Sequence, residues 1–311
     1  EIAQCLVGSE MCIRDSSYAM RGSSVYQQTL NLTISEKQKL RRLLEENYLP
    51  KNRVYRYNFF YDNCTTRARD IIEKCIEGKV VYSEGKERLS FRDIVHQYTK
   101  GHEWDELGID MCLGSEADKP IDTRKQMFAP FYMLEAAKKA TIVVGDSVRP
   151  LILHEKKVVD VEPEDVREGF PLSPMVCVFI LIGVTCFVGW LQFKIRKIIW
   201  IWDLLLFGVQ GLAGCVITFL VFFSTHPTVG SNWLILLLNP IPLIYLPVMV
   251  YRAIKGKKDY YHTINIVCLT SFMMIMPFIQ QKFNVTVLPL ALCLLICSAN
   301  HVLLYYRQNN K

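Results

Sequence analysis

The sequence predicts an α+β domain followed by an all-α domain of five transmembrane helices. Three observations carry that reading. The apolar residues, 51 % of 311, are unevenly spread, with a polar stretch before Pro171 and a greasy one after it. The second half holds five apolar runs, each long enough to cross the hydrocarbon core of a bilayer. The first half alternates capped helical periodicity with short aromatic or β-branched runs. The net charge of +6 is modest, and its informative part lies in short loops between the apolar runs, which argues for membrane topology and against nucleic acid as a partner. The eleven cysteines follow no paired CxxC spacing, so no zinc site, disulfide framework or cofactor is expected.

In chain order, residues 1–16 (EIAQCLVGSEMCIRDS) show no periodicity, and Leu6 to Ser16 resemble a conceptual translation of the transposon adapter used in preparing sequencing libraries. Such scars are excluded from fold reasoning. On that reading the native chain begins near Ser17, its true N-terminus and any signal peptide are missing, and Cys5 and Cys12 carry no biological meaning. The outer domain then covers 17–154. Thr33-Ile34-Ser35-Glu36 matches a capping box, and Leu40, Leu43, Leu44 and Tyr48 continue one apolar face, which predicts a helix from Thr33 to about Tyr48 ended by Pro50. Val54 to Tyr61 is aromatic and partly alternating, compatible with a short strand or an extended lead-in; its aromatics either wall a groove or fill a core. Ser90 caps a helix to about Tyr98, and a loop with Gly101, His102 and Trp104 leads to a segment at Leu107 to Leu113. Arg124 to Ala140 reads as a helix broken at Pro130. Thr141 to Val144 and Leu151 to His154, separated by Gly145-Asp146-Ser147, read as a hairpin, and the charged stretch 155–171 as a linker.

The membrane domain, 172–311, has spans expected at 172–193, 202–223, 232–251, 264–281 and 285–306. Pro240, Pro242 and Pro247 predict a kinked third span, tolerable only where protein neighbours satisfy the freed carbonyls. Lys194, Arg196 and Lys197 follow the first span, Arg252, Lys255, Lys257 and Lys258 the third, and Arg307 and Lys311 the fifth. By the positive-inside rule those ends and the C-terminus are cytoplasmic, and the polar domain lies outside. Asp203 falls near a membrane face and reads as snorkelling. Asn239 reads as bonding the kinked backbone rather than a substrate; His226 sits in an external loop with no assigned role. No span carries a charge pattern marking a solute pathway.

The stretch with chemical content is YRYNFFYDNCTTRARD, Tyr55 to Asp70. Ala68, Ile71, Ile72, Cys75 and Ile76 recur at helical spacing, Gly78 supplies a stop, and Asp62 or Asn63 is the N-cap, so Cys64 stands on the first turn of a helix. There the helix dipole, with Arg67 and Arg69 nearby, favours the thiolate. The competing reading is a small core residue, since Cys64 shares a face with Ala68, Ile71 and Cys75. A free thiol in an oxidising compartment strengthens the case for use. Asn63, Tyr61 and Thr65 are candidate oxyanion or pocket residues, with capping the alternative for Asn63 and Thr65. His96 and His102 are candidate bases for Cys64 or unrelated histidines.

YAMRGSSVYQQTLNL (Tyr18 to Leu32), VYRYNFFYDNCTTRARDIIEK (Val54 to Lys74), FRDIVHQYTKGHEWDELGID (Phe91 to Asp110), STHPTVGSNW (Ser224 to Trp233) and LNPIPLI (Leu238 to Ile244) together resemble the Lnb family, the lipoprotein N-acyltransferases of Bacteroidota. The resemblance implies a papain-like, circularly permuted fold akin to NlpC-type and lecithin retinol acyltransferase enzymes, in the bacterial inner membrane with its N-terminal domain periplasmic. It further implies Cys64 as nucleophile, a membrane phospholipid as acyl donor and a diacylated lipoprotein as acceptor. In the family a histidine in a Gly-His-Thr-Ala-Leu-like segment precedes the cysteine. This sequence has no such segment, so the base is not transferred to His96 or His102, and the chain as given is expected to be inactive. Two other readings remain: an NlpC-type cysteine peptidase or amidase on cell-wall peptides, and a non-catalytic membrane scaffold.

Overall fold

A computed structural model describes residues 15–85, 88–161 and 170–309. Most of the adapter-like stretch and residues 162–169 of the expected linker lie outside the described residues. Contacts divide the chain into two units, Glu1–Ile94 with Pro120–Arg167, and Val95–Lys119 with Glu168–Lys311. In chain order the first unit carries β1 (Val25–Leu30), α1 (Ile34–Tyr48), α2 (Cys64–Cys75) and β2 (Lys79–Val81). α3 (Phe91–Thr99) begins in it and ends in the second unit, which also holds α4 (Glu103–Cys112). Back in the first unit come α5 (Thr123–Gln126), α6 (Pro130–Lys139), β3 (Thr141–Val144), β4 (Ser147–Pro150) and β5 (Ile152–Val159).

The capping box at the start of α1 forms as its residues predict. Thr33 Oγ1 accepts from the Glu36 N–H at 3.3 Å, and the Glu36 carboxylate accepts from the Thr33 N–H at 2.8 Å. Glu36 also ties α1 to the rest of the unit: fully buried, it accepts from the Glu77 N–H at 2.9 Å and from Arg149 at 2.6 Å. Burial would raise its pKa, but the Thr33 and Glu77 N–H donors and then Arg149 outweigh that and hold it below the usual value. Cys75, Ile76, Ala137, Ala140, Ile142 and Leu151 form a core against which Leu40 and Leu43 of α1 and Ile72 of α2 pack.

Among the described residues two small antiparallel sheets complete the unit, one ordered β1-β5 and the other β2-β3-β4. The hairpin closes at Gly145, with φ of +56°. Its second strand is Ser147–Pro150, not Leu151 to His154, because Thr141 pairs Pro150 and Leu151 turns the chain into β5. The front of the expected linker is therefore strand: β5 reaches Val159 and pairs with β1. Its charged residues Glu155, Lys156 and Lys157 are exposed, as befits a strand with a single partner. Val54 to Tyr61 is no strand. Asn58 and Asp62 exchange backbone hydrogen bonds at 3.0 Å, and Asn58 Oδ1 accepts from the Phe60 and Tyr61 N–H groups, so the lead-in to α2 is a closed turn.

Among its described residues the second unit holds five helical segments long and apolar enough to cross a membrane: Pro174–Ile195, Trp200–Phe222, Pro227–Ile254, Tyr260–Phe278 and Val287–Gln308. They contain α7 (Pro174–Ile195), α8 (Trp200–Phe222), α9 (Pro227–Gly230), α10 (Ile241–Ile254), α11 (Tyr260–Ile275) and α12 (Val287–Asn309). The third span is broken rather than kinked. Pro240 and Pro242 remove donors, the Leu237 carbonyl is taken up by Gln210 Nε2 at 2.8 Å, and Asn239 Oδ1 accepts from the Ile241 N–H at 3.2 Å. α8 packs on α10 at glycines: a Cβ at Gly214 would lie 2.2 Å from the Asn239 carbonyl carbon, and one at Gly211 2.5 Å from Leu243 Cβ.

Asp203 does not snorkel. It is fully buried, its carboxylate bonds His301 Nε2 at 2.8 Å and accepts from Cys297 Sγ at 3.4 Å. His301 stacks on His262 at 3.8 Å, and His262 meets Ser298 Oγ at 3.3 Å, so the aspartate points into a polar network inside the bundle. Residues 95–119 belong here by contact, although they fall within the expected outer domain. Gly114 N–H donates to Thr228 O at 2.7 Å, Asn232 Nδ2 to Met111 O at 2.7 Å and Gln281 Nε2 to Leu113 O at 3.2 Å. The STHPTVGSNW loop is thus the seat of the segment that follows α4.

Candidate active site

The closed turn at Asn58 delivers the chain to Asn63, and Asn63 builds the start of α2. Its Oδ1 accepts from the Thr66 N–H at 2.9 Å, and its own N–H donates to Thr66 Oγ1 at 2.9 Å. Its Nδ2 donates to the carbonyls of Phe59 and Phe128, both at 2.9 Å. The side chain is buried and committed to this cap, which leaves its amide no free N–H for an oxyanion.

Cys64, the first helical residue, is exposed, whereas Cys75 at the far end of the same helix is fully buried. The core reading therefore fits Cys75 and not Cys64. Among the described residues, the N–H groups of Cys64 and Thr65 have no partner, because the cap takes up Thr66 N–H and Arg67 N–H donates to Asn63 O at 3.0 Å. A thiol and two open donors thus share one helix end, the arrangement that stabilises charge developing on an attacked carbonyl. Thr65 is half-buried, with its hydroxyl unpaired among the described residues.

The two arginines do not reinforce this field as their spacing led us to expect. Arg67 forks onto Asp62 at 2.7 and 2.9 Å and lies 3.4 Å over the Tyr55 ring. That pairing holds the Asp62 carboxyl below its ordinary value despite some burial. Arg69 is buried, bonds Asp70 at 2.7 Å and donates to Arg124 O at 2.8 Å. With each guanidinium neutralised by a carboxylate, the helix terminus is the main source of positive potential at Cys64.

The aromatic run divides by position. Phe60 is core, packed against Phe91 at 4.6 Å and Phe128 at 5.1 Å between ring centroids. Tyr57, Phe59 and Tyr61 are exposed, Tyr61 with its ring edge 5.3 Å from Phe91. Tyr57 is a neighbour the sequence reading missed: burial, then the charges of Cys64 and Tyr55, raise its phenol pKa. Seven residues before Cys64, it lay in the aromatic run with nothing in its spacing to single it out.

The two candidate histidines lie in the second unit. His96 Nε2 bonds Asp110 Oδ1 at 2.8 Å, and His102 precedes α4, its Nδ1 3.9 Å from Asp105. Among the described residues one group has the composition to hold a cation: His96, Glu106 and Asp110, with ligating atoms within 4.8 Å of one another. Thr99 already donates to Glu106 at 3.1 Å and Asn284 to Asp110 at 3.0 Å.

Two family models match the chain. Residues 10–100, which contain Cys64, match the Lnb N-terminal periplasmic domain, and residues 165–309, which contain the five spans, match the Lnb transmembrane domain. No curated protein and no solved structure matches it.

Proposed function

This chain belongs to the Lnb family, and from that premise we propose that it moves an acyl chain from a membrane phospholipid through Cys64 to the α-amine of a diacylglyceryl-cysteine lipoprotein. One observation carries the residue assignment: Cys64 is exposed at a helix start where two backbone N–H groups are open among the described residues. In the first step the Cys64 thiolate attacks the ester carbonyl, and the N–H groups of Cys64 and Thr65 hold the oxyanion. The C–O bond then breaks, the lysophospholipid oxygen takes a proton, and a thioester remains. In the second step the lipoprotein amine attacks the thioester carbonyl, the C–S bond breaks, the amine loses a proton, and the Cys64 thiolate leaves with a new amide formed. Asn63 positions the helix start, and Tyr57, Tyr61 and Thr65 border the nucleophile. Membership of the family carries the papain-like arrangement and a histidine as proton acceptor, with no residue of this chain assigned to that role. The loop charges carry the orientation, with the first unit periplasmic and the C-terminus on the cytoplasmic side of the inner membrane.

Intact-protein and peptide mass spectrometry tests the assignment. After expression of the full-length gene, a hydroxylamine-sensitive acyl adduct is expected on the Cys64 peptide and on no other. An adduct that persists in Cys64→Ala, or an unmodified Cys64 alongside N-acylated lipoproteins, overturns it.

A further inference from the structure

Glu106 and Asp110 stand four residues apart on α4 and so share one face of it, where His96 of α3 meets them; all three belong to the second unit. Acyl transfer as proposed above uses none of them. Their ligating atoms lie within 4.8 Å of one another, and His96 Nε2 is 2.8 Å from Asp110 Oδ1. Two ligands of a tetrahedral ion, each about 2.1 Å from it, stand roughly 3.4 Å apart, so small side-chain shifts bring the three onto one ion. The group contains no cysteine, and cysteine spacing in the sequence therefore says nothing about it.

Each carboxylate has one oxygen fixed by a neutral donor from outside the group. Thr99 Oγ1 donates to Glu106 Oε2 at 3.1 Å, and Asn284 Nδ2, from the loop before α12, donates to Asp110 Oδ2 at 3.0 Å. Glu106 Oε1 has no partner among the described residues. Outer groups that orient carboxylates without neutralising them are the usual surroundings of metal ligands. The floor of the group is closed and its rim is open: the Asp110 side chain is 3 % exposed and that of His96 35 %, with Glu106 half-buried. An ion therefore reaches it from solvent, and water completes the coordination. One imidazole nitrogen with two carboxylates suits Zn²⁺, whereas Ca²⁺ and Mg²⁺ take oxygen ligands. We propose that His96, Glu106 and Asp110 form a zinc site that clasps α3 to α4 beside the loop carrying Asn284. The ion takes the place of the proton in the His96–Asp110 hydrogen bond; the ring then keeps its proton on Nδ1 and turns the Nε2 lone pair to the metal.

The test is zinc binding by the protein purified from the full-length gene in detergent, stripped with EDTA, dialysed and titrated with ZnCl₂. One zinc per chain is expected, with a Kd of about 1 μM or tighter and a rise in Tm of about 5 °C at a hundredfold excess over that Kd. Glu106→Gln keeps an acceptor for Thr99 and removes the charge, so without zinc it should melt within about 2 °C of wild type while binding zinc at least tenfold more weakly. His96→Ala should weaken binding by at least as much, and His226→Ala should leave it unchanged. Cobalt in place of zinc should give a visible spectrum with no thiolate-to-metal charge transfer, which separates this group from the free cysteines. No uptake from about 10 μM ZnCl₂, affinity equal to wild type in folded Glu106→Gln and His96→Ala, or a thiolate band with cobalt overturns the proposal. None of these readouts involves acyl transfer, so such a failure leaves the Cys64 reading untouched.

Discussion

Asn63→Ala removes the three side-chain hydrogen bonds that hold the start of α2. Loss of an N-cap costs about 1 kcal/mol. The Phe128 carbonyl is a buried acceptor 65 residues away in sequence, and leaving it unpaired costs about 1–3 kcal/mol more. The sum is about 3 kcal/mol, a large share of the roughly 5–15 kcal/mol that stabilises an ordinary domain. For a unit of this size that corresponds to a fall in Tm on the order of 10 °C. Asn63→Asp separates the contributions, since a carboxylate still accepts from the Thr66 N–H but offers the two carbonyls no donor. Thermal unfolding in detergent, followed by circular dichroism, should rank wild type above both variants by at least half of that shift. The rate of Cys64 alkylation by iodoacetamide should change in both, because the open N–H groups move with the cap. A shift below about 2 °C for Asn63→Ala would refute the claim that this residue sets the helix start.

Glu36→Gln should cost about 3 kcal/mol, because it leaves Arg149 facing a neutral group, and urea unfolding at neutral pH measures it. Since the folded pKa of Glu36 is depressed, its contribution is present above the unfolded value near 4.3 and is lost as pH falls through the lower folded value; the wild-type protein should lose this increment below about pH 4 and Glu36→Gln should not. Gly214→Ala should force α8 from the broken third span and cost about 1–3 kcal/mol, read as a lower yield of monodisperse protein in detergent. Asp203→Ala should destabilise the bundle by about 3 kcal/mol, with Asp203→Asn intermediate, and equal melting of both variants with wild type would remove the network from the account.

The capping box at Thr33, the break at Pro130 and the five spans were legible because each rests on local chemistry: a side chain three residues from a free N–H, a missing donor, or a long apolar run. The start of α2 was legible for the same reason, down to its two candidate caps. β1 and most of β5 were not, since VYQQTL and ILHEKKVV lack alternation and become strands by pairing across more than a hundred residues. Charge neutralisation at Arg67 and Arg69 comes from near neighbours, Asp62 and Asp70, but which carboxylate each guanidinium reaches is set by side-chain geometry that spacing does not fix. Asp203 was misread for a related reason. Near the end of a span, snorkelling and burial look alike in one dimension, and only His301 on another helix decides between them.

The central claim is that Cys64 carries acyl transfer to lipoproteins. Its most direct test is mass spectrometry of lipoprotein N-termini from a host lacking its own N-acyltransferase, supplied with the full-length gene or its Cys64→Ala form. The account predicts triacylated N-termini with Cys64 and diacylated ones with Ala; diacylated N-termini in both strains, or triacylated ones in both, would contradict it.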